Sequence, residues 1–268
     1  MFCPRFYVTL NNLLHLGIKN KWGFILFCPR FYVTLQPQKK ISMIIKVCGM
    51  REPQNIREVA EAGADWIGFI FCTDSPRYVE QISFGAGFMP DFAPWKIVEA
   101  SKDRKKVGVF VDDMPQSIIT RIVNFRLDIV QLHGSESPVM IDNLRNSVVP
   151  DLASSIQIVK AINIGCIDDL KNAKQYEGHA DYLLFDTKTD VPGGSGRKFD
   201  WNILNHYDGN LPFLIGGGIG PDDAEAITTI RHPRFMGVDI NSAFETEPGL
   251  KDINKVKHFI EVLRHGQQ

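Results

Sequence analysis

From Met43 onward, short apolar runs rich in β-branched residues alternate with longer stretches of helical period, and the alternation repeats eight times. Parallel neighbours need a long crossover between them, so this pattern points to a parallel sheet covered by helices. The runs expected to be strands lie at 44–48, 66–71, 106–111, 128–132, 156–160, 182–186, 212–216 and 236–240. Helical stretches fall between them at 54–62, 94–101, 115–124, 138–146, 167–176, 200–206, 222–229 and 252–264, so each strand has one helix after it. Gly63 suits the left-handed end of the first helix, and Pro221-Asp222-Asp223 suits an opening turn. Eight βα units in about 226 residues is the usual size of a closed barrel, whereas a doubly wound open sheet normally has fewer strands. The fold expected is therefore α/β, a (β/α)8 TIM barrel preceded by an N-terminal extension. In such barrels chemistry sits at the C-terminal ends of the strands, so those ends are the places to read.

Residues 1–42 are a different kind of sequence. They hold no Asp or Glu, six Lys or Arg and eight of the 28 aromatic residues, and the first acid is Glu52. Nine residues, Phe2 to Leu10, recur identically at Phe27 to Leu35. Structural repeats drift in sequence and need about three copies to stack, so one perfect echo reads as a recent duplication of the coding sequence. Pro4, Pro29, Lys19 and Lys21 interrupt any apolar run of the kind a targeting signal or membrane span requires. The reading favoured is that Met43 is the true start and 43–268 the catalytic barrel, with a genuine accessory extension as the alternative.

Thirty basic and 31 acidic side chains leave a net charge of −1, which removes the simple electrostatic case for a nucleic-acid or membrane partner. A small anion needs only a local positive site. The five cysteines (Cys3, Cys28, Cys48, Cys72 and Cys166) are odd in number and lack metal-ligand spacing, which argues against a disulfide framework or a zinc site and for a reducing cytoplasm.

The strand ends carry the candidate chemistry. The first closes in Lys46-Val47-Cys48-Gly49-Met50. Cys48 reads either as a small core side chain or as a nucleophile or base; an ordinary thiol is only about 3% thiolate at pH 7, so the second role needs help from Lys46, a helix terminus or the ligand. Beyond the second strand, Arg77 is a solvated loop cation or a planar fork for a carboxylate. The fourth strand places Gln131 and His133 on one side by its two-residue period. The sixth is apolar until Asp186, which either caps or pairs locally, or serves as a general acid. An ordinary aspartate is about 0.1% protonated at pH 7, so the acid role requires burial or a neighbouring anion. Gly193, Gly194 and Gly196 make the following loop a mobile cover more than a nucleotide cradle, since the terminal Lys-Ser/Thr of a P-loop is missing. The seventh strand ends in Gly216-Gly217-Gly218 and the eighth in Asp239-Ile240-Asn241-Ser242-Ala243, where backbone amides can receive a phosphate.

Six strings in order, Lys46-Val47-Cys48-Gly49-Met50, Ser75-Pro76-Arg77-Tyr78-Val79, Val107 to Val111, Val130-Gln131-Leu132-His133-Gly134, Leu184-Phe185-Asp186-Thr187 and Gly237 to Ser242, resemble the phosphoribosylanthranilate isomerase family from about Ile44 to Arg264. The resemblance implies an Amadori rearrangement in tryptophan biosynthesis, acting on a small phosphorylated substrate with no metal and no organic cofactor, in a monomer or homodimer. It assigns Cys48 as general base and Asp186 as general acid, Arg77 to the anthranilate carboxylate, and Gly216, Gly217, Gly218, Asn241, Ser242 and Ala243 to the phosphate. Lys46, Gln131, His133 and Asp239 line the pocket. Both catalytic groups are expected to have shifted pKa values. Cys48 paired with Asp186 discriminates against related phosphate-binding barrels that use a lysine and glutamate array or two aspartates. A silent barrel that only binds a phosphorylated metabolite is the alternative. Two departures stand out: Phe84 to Phe92 is longer and more aromatic than usual, and Ala243 stands where many members have Gly.

Overall fold

The computed structural model describes residues 25–28, 31–34, 43–80, 94–148, 155–188 and 198–266. Both the Phe84–Phe92 connection and the Gly193–Gly196 loop therefore lie outside the described residues. The chain divides into two units, Met1–Ile41 and Ser42–Gln268. In the first, β1 (Ile25–Cys28) pairs antiparallel with β2 (Phe31–Thr34), with Ile25 opposite Thr34.

In the second unit, eight parallel strands close a barrel: β3 (Ile44–Val47), β4 (Trp66–Ile70), β5 (Lys105–Phe110), β6 (Ile129–Leu132), β7 (Gln157–Ile164), β8 (Tyr182–Thr187), β9 (Phe213–Ile215) and β10 (Phe235–Ile240). Neighbours in the barrel are neighbours in sequence, and β10 returns to pair with β3. This is the expected (β/α)8 architecture. A short antiparallel pair, β11 (Glu245–Glu247) and β12 (Leu250–Lys251), follows β10.

The two-residue strand period sorts the side chains into two cores. Ile45, Val47, Val130, Leu132, Leu183 and Phe185 point outward and pack with the helices in the larger core. Trp66, Val107, Ile129, Val159, Ala161, Leu184 and Leu214 fill the barrel, with Ile44 and Tyr182 packed against them. Trp66 meets Tyr182 edge-on at 5.4 Å. The apolar filling of the barrel gives way along the strands to Lys46, Gln131 and Asp239, and then to Cys48, His133 and Asp186. Lys46, Cys48, Gln131, His133 and Asp186 each lie two or four positions beyond an inward apolar residue (Ile44, Ile129 or Leu184), so the strand period that fills the barrel also builds its polar mouth.

Several helices begin where the sequence indicates, with proline in the first turn at Pro53, Pro115 and Pro138, and Ser137 capping the last of these through Met140 N. Gly63 takes φ +104° after the first helix. Two stretches that read as helical are 3-10 helices: Ile167–Tyr176 and Trp201–His206. The first buries Leu170, Ala173 and Tyr176, a strict three-residue spacing that suits 3.0 residues per turn. The stretch at 222–229 is split into a 3-10 turn, Pro221–Asp223, and a short helix, Ala224–Thr228. Among the described residues no helix is long and apolar enough to cross a membrane.

Candidate active site

Cys48 lies just beyond β3, its backbone N–H donating to Ile240 O at 2.9 Å, with its side chain buried. Gly68 on the adjoining strand makes room for it: a Cβ there would stand 2.8 Å from the Cys48 sulfur. Gly49 turns the chain away at φ +75°, and a Cβ on it would come within 2.6 Å of both Arg77 Cδ and Asn241 Oδ1. The turn after Cys48 is thus clasped between two elements of the mouth.

Lys46 points into the barrel from the same face of β3 and donates to Asp239 Oδ2 at 2.5 Å. The second oxygen of Asp239 is buried without a hydrogen bond to a described residue, as is Gln131 Oε1. Burial works against the Lys46 ammonium, but Asp239 and Cys48 outweigh it and hold its pKa above the ordinary lysine value. Burial pushes the Cys48 thiol up, opposed by Lys46. Burial likewise raises the Asp239 carboxyl against the pull of Lys46. The resting protein therefore favours the Cys48 thiol, with a charged lysine, Lys46, beside it and Lys251 also acting to stabilise the thiolate.

Across the barrel, His133 Nε2 lies 3.0 Å from Asp186 Oδ2, and its Nδ1 lies 3.0 Å from Gln131 Nε2. With the Gln131 amide donating to Nδ1, the ring proton sits on Nε2 and points at Asp186. Asp186 Oδ1 accepts from Thr187 N at 2.9 Å, and its side chain is 24% exposed, so it opens to the mouth while Cys48 does not. Gly216 sits between the two aspartates: a Cβ there would be 3.5 Å from Asp186 Oδ1 and 3.6 Å from Asp239 Cβ.

The glycine run at the end of β9 divides in its duties. Gly216 N donates to Phe185 O at 2.8 Å, closing the sheet, so its amide is not available to a ligand and its contribution is space. Gly217 and Gly218 adopt φ +77° and +68°. After β10, Asn241 leads into the 3-10 turn Ser242–Phe244, with Ser242 and Ala243 at its head. Asn241 Oδ1 is taken by Lys251 Nζ at 2.7 Å.

Arg77 is not a solvated cation. Its side chain is 11% exposed and gripped by Glu245, with Nε 2.8 and 3.1 Å from the two carboxylate oxygens and Nη2 at 2.6 Å. Glu245 and Lys251 were not legible as site residues, because charges beyond the last strand read as loop surface. A second buried pair was missed as well. Lys160 Nζ donates to Leu132 O, Gly134 O, Ala161 O and Glu136 Oε2, the last at 3.2 Å, under the loop that follows His133. Among the described residues no three His, Cys, Asp or Glu side chains are grouped to hold a metal.

The sequence pattern of the family described as N-(5'-phosphoribosyl)anthranilate (PRA) isomerase matches residues 45–262. The chain belongs to this isomerase family. The N-(5'-phosphoribosyl)anthranilate isomerase of Parabacteroides distasonis is 46% identical over 226 residues, covering 83% of this chain and 94% of that protein. The one from Phocaeicola vulgatus is 41% identical over 222 residues, covering 83% and 98%. Among solved structures, the phosphoribosyl anthranilate isomerase of Thermotoga maritima superposes with a TM-score of 0.67 at 29% identity, covering 83% of this chain and 99% of that one. A phosphoribosyl anthranilate isomerase in complex with reduced 1-(o-carboxyphenylamino)-1-deoxyribulose 5-phosphate superposes with a TM-score of 0.63 at 27% identity, over 83% and 99% of the two chains. Family membership thus covers the barrel and leaves residues 1–42 aside.

Proposed function

We propose that this chain isomerises N-(5'-phosphoribosyl)anthranilate to 1-(2-carboxyphenylamino)-1-deoxyribulose 5-phosphate, a step of tryptophan biosynthesis, and that residues 43–268 carry the activity. The observation that carries the reading is the placement of Cys48 beside Lys46 and of Asp186 3.0 Å from His133 at one mouth, above the apolar filling of the barrel.

In this reading Asp186 protonates the furanose ring oxygen. The C1–O bond breaks, and the anthranilate nitrogen supplies the electron pair that makes a C1=N iminium. The iminium acidifies C2–H, which the Cys48 thiolate removes; the C–H electrons form C1=C2 and the C1=N pair returns to nitrogen. The resulting enolamine tautomerises to the C2 ketone. One proton enters at oxygen and one leaves carbon, so no outside acid or oxidant is consumed. The substrate's own nitrogen is the electron sink, so the chemistry calls for no metal or organic cofactor. Lys46 opposes the burial that keeps Cys48 protonated, and His133 orients Asp186. Arg77 receives the anthranilate carboxylate. Gly217, Gly218, Ser242 and Ala243 offer backbone amides to the phosphate, with Gly216 and Asn241 shaping the loops. The working unit is a cytoplasmic monomer or homodimer with no nucleic-acid or membrane partner.

The test is the loss of anthranilate-type fluorescence from enzymatically generated substrate, with the full chain, a chain begun at Met43, Cys48→Ser and Asp186→Asn. Turnover by both unsubstituted chains, with losses of at least about 100-fold in both variants, is expected. A folded parent that binds the product but does not turn the substrate over would leave the silent metabolite-binding barrel standing instead.

A further inference from the structure

An arginine offers five N–H donors in a fixed plane. Glu245 engages Arg77 side-on, through Nε and Nη2, and Nη1 carries no hydrogen bond to a described residue. Three donors remain, two of which form the parallel end-on pair of Nη1 and Nη2 that matches a second carboxylate. Glu245 is itself held from other directions. Lys251 Nζ donates to its Oε1 at 2.6 Å, and Gly249 N at 3.1 Å. Lys251 is fixed in turn, since its backbone N–H and C=O both pair with the Asn55 side chain at 2.8 and 2.9 Å. Its side chain is 0% exposed and that of Glu245 5%, so this chain of charges is set into the wall of the barrel mouth and is no surface pairing.

We infer that Glu245, braced by Lys251, is a positioning residue that aims Arg77, turning the end-on edge of the guanidinium toward the carboxylate of the substrate. The inference rests on the proposed isomerase reading, which places an aromatic carboxylate at Arg77. Two physical effects of Glu245 have opposite signs, which makes the assignment testable. As a counter-charge, Glu245 weakens the attraction of the mouth for every anion, so its neutralisation would tighten binding. As an aiming group, it removes rotamer freedom from a long side chain before the ligand arrives, so its loss would weaken binding of a carboxylated ligand specifically. Gly49 gives the aiming its backstop, because the Arg77 stem lies where a Cβ of residue 49 would be.

The experiment compares two ligands on the full chain by calorimetry: the reduced product, 1-(2-carboxyphenylamino)-1-deoxyribitol 5-phosphate, and the same molecule with a phenyl ring lacking the carboxylate. Glu245→Gln removes the charge and one acceptor oxygen. Glu245→Asp keeps the charge but withdraws it by one methylene. Both variants are expected to bind the carboxylated ligand about tenfold more weakly and the phenyl ligand within about twofold of the parent, with KM rising by a similar factor and kcat nearly unchanged. Tighter binding by Glu245→Gln with no change in Glu245→Asp would overturn the inference in favour of a counter-charge. Equal losses for both ligands would overturn it in favour of a merely structural role. If one variant does not fold, the other decides between these outcomes. A parent that fails to prefer the carboxylated ligand refutes the isomerase reading itself, which separates that failure from failure of the aiming role.

Discussion

Replacing Gly49 by alanine probes the geometry of the mouth at its tightest point. The residue sits at φ +75°, a left-handed backbone that costs an L residue about 1–2 kcal/mol. In a domain of this size that lowers Tm by roughly 3–6 °C. The new Cβ would also stand 2.6 Å from Arg77 Cδ and from Asn241 Oδ1, where ordinary contact begins at 3.4 Å. Arg77 and the loop after β10 must therefore retreat by about 0.8 Å, and a misplacement near 1 Å costs on the order of 100-fold in a well-aligned active site. Gly49→Ala is expected to lose about 50-fold in kcat/KM, or ~2 kcal/mol, in the fluorescence assay. Gly63→Ala is the matched control. It has φ +104°, but its nearest neighbour, Ile260 Cγ2, is at 3.5 Å, so it carries the backbone strain without the collision. A thermal shift in both variants, at least as large for Gly49→Ala, with activity lost only in Gly49→Ala, is the expected pattern. A Gly49→Ala enzyme within threefold of the parent would refute the reasoning that Arg77 and the loop after β10 are held to sub-ångström tolerance by the turn after Cys48.

Three further outcomes are expected. Burial alone would raise the Glu245 carboxyl, but Arg77 and Lys251 together hold it below its ordinary 4.5, so its stabilisation is present above that pH and is lost as pH falls through the depressed value. The stability gap between parent and Glu245→Gln in urea melts should therefore shrink on acidification below about pH 4.5, and a gap that widens there would count against the pairing. Lys160→Met leaves Glu136 buried without its cation and should cost about 3–5 kcal/mol, with part recovered in Lys160→Met/Glu136→Gln; an unchanged melt would show that the pair contributes little. Arg77→Lys replaces a planar fork by a point charge that cannot serve Glu245 and a second carboxylate together, so KM should rise about tenfold or more with kcat less affected.

The barrel and its inward-facing residues were legible because both rest on the two-residue strand period: Lys46 and Cys48, Gln131 and His133, and Leu184 and Asp186 are each two apart. What period cannot show is where a charge finds its partner. Lys160 reads as the end of an apolar run, yet β7 continues to Ile164, because the ammonium is satisfied by three carbonyls and a carboxylate inside the protein. Nothing in the sequence marks Glu245 and Lys251, which stand beyond the last expected strand, as partners of Arg77. The 3-10 helix Ile167–Tyr176 escaped because periods of 3.0 and 3.6 barely diverge over ten residues. Gly216 looked like its two neighbours, and its sheet hydrogen bond to Phe185 O and the positive φ of Gly217 and Gly218 separate its role from theirs.

Lys46 and Asp239 are Cα partners in the register of β3 with β10, the first and last strands of the barrel, 193 residues apart in the chain. The contact that tunes the Cys48 environment is therefore also the seam where the barrel shuts. During synthesis β3 is the first barrel strand to emerge, and its lysine lacks Asp239 until the final barrel strand docks. Assembly of the cysteine's electrostatic surroundings is thereby tied to completion of the fold, so a chain interrupted before β10 carries the thiol but not its setting. Any variant that loosens this seam should lose activity before it loses secondary structure.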